Sequence, residues 1–254
     1  MIKERIEDDI LIAVLSNGKT NSIDFETLKQ LDACVEKVNT EEKLKGLVLT
    51  GEGRFFSSGF NLPMFLNFKD VDEAVDFFNQ EEEMLLNFFM CKKPVVCAMN
   101  GHSAAAGMIF AMASDYRIVT GHPKIKLGMS EIKIGLPLTL AQSQVMRFGL
   151  DTDKKFRDIM YFGEMYDPEK SLELGLVDEV VEADDLVKRA KEIVALWIDQ
   201  PNRAFIQMKE VLRKEFVEKA QKRLKEENWQ EGMSCFFEKD VRDILSFVQA
   251  GLEG

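Results

Sequence analysis

The stretch from Pro94 to Ser114 constrains the fold of this chain more than any other. It is almost wholly apolar and long enough to be weighed as a membrane span. Asn100, Gly101, His102 and Ser103 interrupt it, and its flanks carry no anchoring pattern. It therefore divides into a strand-like run, Pro94–Met99, and a helix-like run from Met108, joined by the small-residue segment Gly101-His-Ser-Ala-Ala-Ala-Gly107. A buried strand running into a buried helix is an α/β unit. Small side chains at such a junction let a ligand approach the backbone. The first N–H groups of the helix have no internal partner and lie at the positive end of its dipole. A junction of this kind is suited to hold negative charge, including an oxyanion formed only during a reaction. By itself such a run is more often a tight strand–helix packing turn.

The rest of the chain repeats the alternation. Ile10–Leu15, Gly46–Thr50, Tyr116–Val119 and Leu176–Val181 are short, apolar runs rich in β-branched residues. Between them lie helical patterns at Asp24–Val38, Val71–Phe89, Met108–Ser114, Leu138–Phe148 and Thr152–Phe162. Asp24 and Thr27 provide an N-terminal cap for the first. The alternation predicts an α/β core. After Val181 the strand signals stop, and from Asp184 to Gly254 only helices are read.

Composition excludes several functions. The 254 residues carry 33 basic and 44 acidic side chains, a net charge of −11. That balance speaks against general binding to nucleic acid or to an anionic membrane. Cys34, Cys91, Cys97 and Cys235 form no CxxC pair and no zinc pattern with His102 and His122. Reduced thiols, no resident metal and a cytoplasmic location are expected. The opening Met-Ile-Lys-Glu-Arg-Ile-Glu-Asp-Asp carries no secretion signal. No phosphate loop, dinucleotide fingerprint or nucleophile elbow stands out.

A second glycine-bearing junction precedes the first. The run Gly46–Gly51 ends in glycine and is followed by Gly53-Arg-Phe-Phe-Ser-Ser-Gly-Phe-Asn-Leu62. An unusual backbone at Gly59 would direct the Phe60 N–H into a cavity. Alone, Ser-Ser-Gly marks an ordinary turn.

Together, GLVLTGEGRFFSSGFNL, KPVVCAMNGHSAAAGM and SDYRIVTGHPKIKLGMSEIKIGLP, with GLVDEVV at 175–181, resemble the crotonase, or enoyl-CoA hydratase/isomerase, superfamily. The resemblance covers nearly the whole chain. It implies a crotonase-like spiral of ββα turns over residues 1–195. A C-terminal helical region over 196–254 would serve oligomerisation and cover the active site. It also implies an acyl-CoA thioester substrate, coenzyme A being part of the substrate rather than a cofactor, and a homotrimer or dimer of trimers.

Position by position, the two oxyanion donors of the family fall on Phe60, after Gly59, and Ala106, before Gly107. Alanine stands at 106 where the family often has glycine, and asparagine at 61 where it often has aspartate. Each donor of this kind is worth roughly 3–4 kcal/mol in the transition state. The hydratases of the family use two glutamates around a water molecule. The first falls on Ile109, which cannot activate water, and the second on Glu131. The pattern resembles the Δ3,Δ2-enoyl-CoA isomerases, with Glu131 as proton shuttle and Ile109 as apolar wall. The implied activity moves a 3-enoyl-CoA double bond to the 2-position. The alternatives are another reaction on an acyl thioester, such as decarboxylation, dehydration or hydrolysis, or a silent acyl-CoA-binding protein.

Further substrate contacts are expected at Gly59, Gly107, Phe65, His102 and Phe247, beside Ile109. His102 also reads as a satisfied structural histidine. Phe65, Phe68, Phe77, Phe78, Phe88 and Phe89 would line an acyl tunnel or fill the core. Lys92 and Lys93 are turn charges or phosphate contacts. Asp115-Tyr-Arg117 is expected to fix a strand. Phe247 lies in the segment that resembles the family's closing helix, but no basic pair follows it. Coenzyme A phosphate contacts would then come from elsewhere, which also admits an acyl-carrier-protein thioester.

Overall fold

The computed structural model describes residues 1–253. It opens with a hairpin of β1 (Ile2–Glu7) and β2 (Ile10–Leu15), followed by α1 (Phe25–Thr40). Next come β3 (Gly46–Gly51), β4 (Phe55–Ser57), α2 (Leu62–Leu66) and α3 (Val71–Phe89). The following turn of the chain holds β5 (Val95–Met99), β6 (His102–Ala104) and α4 (Ala106–Ala113). After it lie β7 (Tyr116–Thr120), β8 (Leu127–Gly128), a 3-10 turn at Glu131–Ile134, α5 (Leu140–Phe148) and α6 (Asp153–Phe162). The core closes with β9 (Met165–Tyr166), α7 (Pro168–Leu174), β10 (Glu179–Val181) and α8 (Leu186–Ile198). Then follow α9 (Phe205–Glu226), a 3-10 segment at Trp229–Phe237 and α10 (Lys239–Glu253).

Two sheets form. The larger has the order β1-β2-β3-β5-β7-β10, the smaller β4-β6-β8-β9. From β2 to β10 the large sheet is parallel, and β1 pairs antiparallel with β2 at its edge. Successive chain turns deliver one strand to each sheet, β3 then β4, β5 then β6, β7 then β8, which makes a spiral of ββα turns. Strands β3 and β5 are buried almost throughout because helices cover both faces of the parallel sheet. One face carries the main core. On the other, α8 packs Leu186, Ala190, Ile193 and Val194 over Ile12, Val48 and Val96.

The expected helices form with end shifts of a few residues. Asp24 caps α1 by accepting from the Thr27 N–H at 2.8 Å. The run Leu176–Val181, expected as one strand, forms β only from Glu179. The helix α7 and its left-handed cap at Gly175 occupy the approach to it. Asp178 is instead gripped by Arg117, whose Nε and Nη2 each donate at 2.8 Å, tying β7 to the start of β10.

The C-terminal helices are wired into this core. Arg213 of α9 is buried and donates to the carbonyls of Phe89 at 2.6 Å, Ala113 at 3.1 Å and Ser114 at 3.2 Å. It thereby caps the C-termini of α3 and α4 together. Asp115 neutralises it at 2.9 Å and takes Lys209 Nζ at 2.6 Å. No helix among the described residues is long and apolar enough to cross a membrane.

Candidate active site

The two glycine junctions meet. Gly59 adopts φ +96°, and a Cβ built on it would stand 2.7 Å from Ala105 Cβ and 3.2 Å from the Ala106 nitrogen. Only a residue without a side chain lets these two backbone segments touch. Gly107 serves the same contact from the other side, since its Cβ would fall 2.8 Å from the Ser57 carbonyl oxygen.

The direction of each N–H follows from local geometry. Gly59 accepts from Ile23 N–H at 2.8 Å, and Asn61 N–H donates to Ile23 at 2.9 Å. Polar groups alternate sides along an extended chain, so the Phe60 N–H between them points away from Ile23. Among the described residues it has no acceptor. Ala106 is the first residue of α4, and its N–H likewise has none. The residue before it, Ala105, holds φ 52° and ψ −126°, a region that costs an alanine about 1–3 kcal/mol. That turn aims the start of α4.

Beside these donors lies a cavity of about 290 Å³. Phe60, Phe65, Ala105, Ile109 and Glu131 line it, with Gln142 and, from the C-terminal region, Phe236, Val248 and Leu252. Phe65 and Phe78 belong to an aromatic cluster with Phe60, Phe68, Phe77 and Phe236 that closes one side. Phe88 and Phe89 pack elsewhere, against Phe110 and against Phe148 and Phe216. A second, more polar cavity of about 250 Å³, lined by Asn17, Lys19, Thr20 and Ser22, adjoins the first through Ser58, Phe60, Leu62 and Leu252.

Glu131 opens the 3-10 turn between β8 and α5. Its Oε2 is shut off from solvent and has no hydrogen-bond partner. Burial pushes its carboxyl up to about 7, against a smaller opposing effect of its own and the Ser130 backbone N–H groups. A carboxyl in that range exchanges protons in either direction near neutral pH. Ile109, 1% exposed, faces the same space.

Four expected contacts, Gly59, Gly107, His102 and Phe247, lie outside the residues lining this cavity. His102 sits on β6, tilted against Phe55, and its Nδ1 accepts from the Lys126 N–H at 3.1 Å. Phe247 is 81% exposed on α10, whereas its neighbour Val248 reaches the cavity. Lys93 is buried and donates to the Glu41 and Leu44 carbonyls, each at 2.7 Å. Asp115 and Arg117 act in the structural contacts described above. Among the described residues no group of three His, Cys, Asp or Glu side chains is arranged to hold a metal.

Sequence reasoning missed Glu81 and Glu82, both buried on α3. Glu82 accepts from the Thr139 hydroxyl, from Ala141 N–H at 2.7 Å and from Gln142 N–H at 3.4 Å, and so caps the start of α5. Burial lifts it to about 7, while these three donors oppose the rise. Glu81 accepts from Gln142 Nε2 at 3.0 Å. Burial, then the charge of Glu82, pushes it well above the usual carboxylate range. In the sequence the pair sits in Gln80-Glu-Glu-Glu83, which reads as a solvated face.

Comparison with known proteins agrees with this architecture. The sequence profile described as "Enoyl-CoA hydratase/isomerase" matches residues 5–247. The chain is 26% identical over 217 residues to rat mitochondrial enoyl-CoA delta isomerase 1, covering 84% of this chain and 74% of that protein. It is 23% identical over 246 residues to a probable enoyl-CoA hydratase of Bacillus subtilis strain 168, covering 92% and 94%. The fold superposes on the crystal structure of human mitochondrial delta3-delta2-enoyl-CoA isomerase with a TM-score of 0.90 at 20% identity, covering 99% of this chain and 98% of that one.

Proposed function

The chain belongs to the enoyl-CoA hydratase/isomerase family, the crotonase superfamily, and we propose that within it this protein shifts the double bond of a 3-enoyl-CoA to the 2-position. One observation carries the reading. Glu131 is the single carboxylate among the residues lining the cavity, its Oε2 is unpartnered, and apolar Ile109 stands where the family's hydratases carry their other glutamate. The similarity to delta isomerases points the same way.

In the proposed reaction ionised Glu131 removes a proton from C2. The electron pair moves toward the thioester carbonyl, whose oxygen becomes anionic between the Phe60 and Ala106 N–H groups. The C3–C4 double bond is then conjugated with this enolate. Glu131, now a neutral acid, returns the proton at C4, and the double bond comes to rest between C2 and C3. No atom is lost or gained. Fixed donors stabilise the developing charge without reorganising, and the apolar wall at Ile109 keeps water from being activated. The polar cavity containing Lys19 is suited to the coenzyme A portion, since it joins the acyl cavity beside Phe60. Exposed Met208, Val211 and Leu212 on α9 offer apolar surface for the proposed homotrimer or dimer of trimers. The four thiols, outside any disulfide, fit a reducing compartment, for which we take the cytoplasm.

The deciding experiment follows 3-hexenoyl-CoA spectrophotometrically. Wild type and Ile109→Val are expected to convert it to 2-hexenoyl-CoA, and Glu131→Gln to lose that conversion. Rapid addition of water to 2-hexenoyl-CoA by wild type, or binding of 3-hexenoyl-CoA without turnover, would overturn the assignment. Light scattering of the purified protein checks the oligomer.

A further inference from the structure

The Phe60 N–H shares a peptide plane with the Gly59 carbonyl and points opposite to it, because the bond is trans. Its aim is therefore set by how Gly59 is held. Glycine has the widest conformational freedom of any residue, and nothing in its own chemistry keeps φ at +96°. Two hydrogen bonds hold it. The Ile23 N–H donates to its carbonyl at 2.8 Å, and its own N–H donates to the Ser57 hydroxyl at 3.1 Å. Of the two, only the second comes from a side chain.

Ser57 ends β4 and is fully buried. Its one hydroxyl proton goes to the Asn21 carbonyl at 2.8 Å, which leaves a lone pair for Gly59. Asn21 is itself fixed, since its amide donates to the Glu52 carbonyl at 2.9 Å and to the Phe55 carbonyl at 2.8 Å. Between the pairs Phe55–His102 and Ser57–Ser103, two residues of β4 advance against one of β6. Bulges of this kind re-aim side chains beside functional sites. Ser57 also abuts the second donor segment. A Cβ built on Gly107, the residue after Ala106, would fall 2.8 Å from Ser57 Cβ and 2.8 Å from its carbonyl oxygen. One residue thus touches both backbone segments that carry the proposed donors. Pairing of β4 with β6 uses only backbone groups and has no need of the hydroxyl.

We propose that Ser57 is a positioning residue for enolate formation: its hydroxyl fixes the Gly59 N–H and, through Gly59, aims the Phe60 N–H at the thioester oxygen. The proposal rests on the reading of the Phe60 and Ala106 N–H groups as donors to that oxygen. A donor aimed where charge develops stabilises the transition state more than the bound substrate. Its loss of aim therefore shows in kcat more than in binding.

The test separates binding from enolate stabilisation. Hexanoyl-CoA reports binding alone, by calorimetry. 3-Oxohexanoyl-CoA is acidic at C2 and reports its enolate by ultraviolet absorption, without turnover. Bound to wild type, it is expected to ionise at lower pH than in solution. In Ser57→Ala, kcat for 3-hexenoyl-CoA is expected to fall about tenfold, part of the loss that follows outright removal of an oxyanion donor. The apparent pKa of the bound 3-oxo ligand should rise by about one unit, the same factor of ten. Affinity for hexanoyl-CoA should stay within about twofold, as for an interaction made mainly in the transition state. Ser57→Cys keeps the shape with a weaker acceptor. It is expected to shift kcat and the ligand pKa in the same directions, and supplies these readouts should the alanine variant not fold. Unchanged kcat and ligand pKa in the folded variant overturn the proposal. So does a fall in kcat matched by an equal fall in hexanoyl-CoA affinity, the mark of a cavity that has merely lost its shape. If wild type itself does not lower the pH at which the 3-oxo ligand ionises, the donors hold no enolate, and the functional reading falls together with the role of Ser57. The two failures are thereby distinguished.

Discussion

Glu131 and Glu82 are both lifted to about 7, and in both burial is the largest cause. They differ in what their oxygens touch. Glu82 is held by the Thr139 hydroxyl and two backbone N–H groups, all belonging to the start of α5. Glu131 keeps an unpartnered oxygen at the wall of a cavity. A raised proton affinity alone does not separate chemistry from architecture, nor does an unpartnered oxygen, which buried Glu81 also has; an unpartnered oxygen on a residue lining a cavity does. The comparison suggests that Glu131 is available to a substrate and Glu82 is spent on the fold.

The sharpest way to break that contrast is to neutralise each residue. Glu131→Gln should lower isomerisation by roughly 10²–10⁴-fold, the usual span for a lost general base, with thermal stability unchanged or raised. An equal loss of activity from Glu82→Gln in folded protein would erase the distinction. Gly59→Ala attacks the donors instead. At φ +96°, with Ala105 Cβ 2.7 Å away, the new methyl must separate the two segments. A fall of roughly 10²–10³-fold in kcat is expected, as for the loss of one oxyanion donor.

Glu82→Gln should act on stability. It replaces one accepting oxygen with an NH2 group, so a buried donor at the start of α5 loses its acceptor, at about 2 kcal/mol, measurable by urea denaturation, while kcat of the folded fraction stays within a few-fold. Titration sharpens the comparison further. If Glu131 is the base, activity rises with pH through about 7 and levels off above it. Stability runs the other way. Both folded carboxyls bind protons more tightly than in the unfolded chain, so their contribution is full below about 4.5 and is lost as pH rises through about 7. Denaturation at pH 5 and pH 8 should show this fall, and a smaller one in Glu131→Gln. The smallest effect is expected at Ala105→Gly. Relief of the left-handed turn should raise stability by up to about 1 kcal/mol, net of the entropy cost of glycine.

The sequence made the long elements legible and hid the short ones. β2, β3, β5 and β7 announce themselves because strands of a covered parallel sheet are continuous apolar runs. The smaller sheet escaped, since β4, β6, β8 and β9 are two or three residues long and carry no period. β1, Ile2-Lys-Glu-Arg-Ile-Glu7, is an edge strand whose charges conceal it. At the site, glycine and small residues marked where backbone segments meet; Phe60, Ile109 and Glu131 line one cavity there, and the Ala106 nitrogen lies against Gly59. Glu81, Glu82 and Gln142 had no such mark. Their role depends on α3 meeting the start of α5, a contact between residues about sixty positions apart that no local pattern encodes.

The grip of Arg213 on Phe89, Ala113 and Ser114 bears on how the molecule is divided. A helix end without a donor is an open account in water and a costly one in a protein interior. Here two such ends are closed by one guanidinium that arrives more than a hundred positions after the first of them in the chain. The tail finishes helix ends that belong to the spiral, so the spiral without its tail would carry buried carbonyls with no donor.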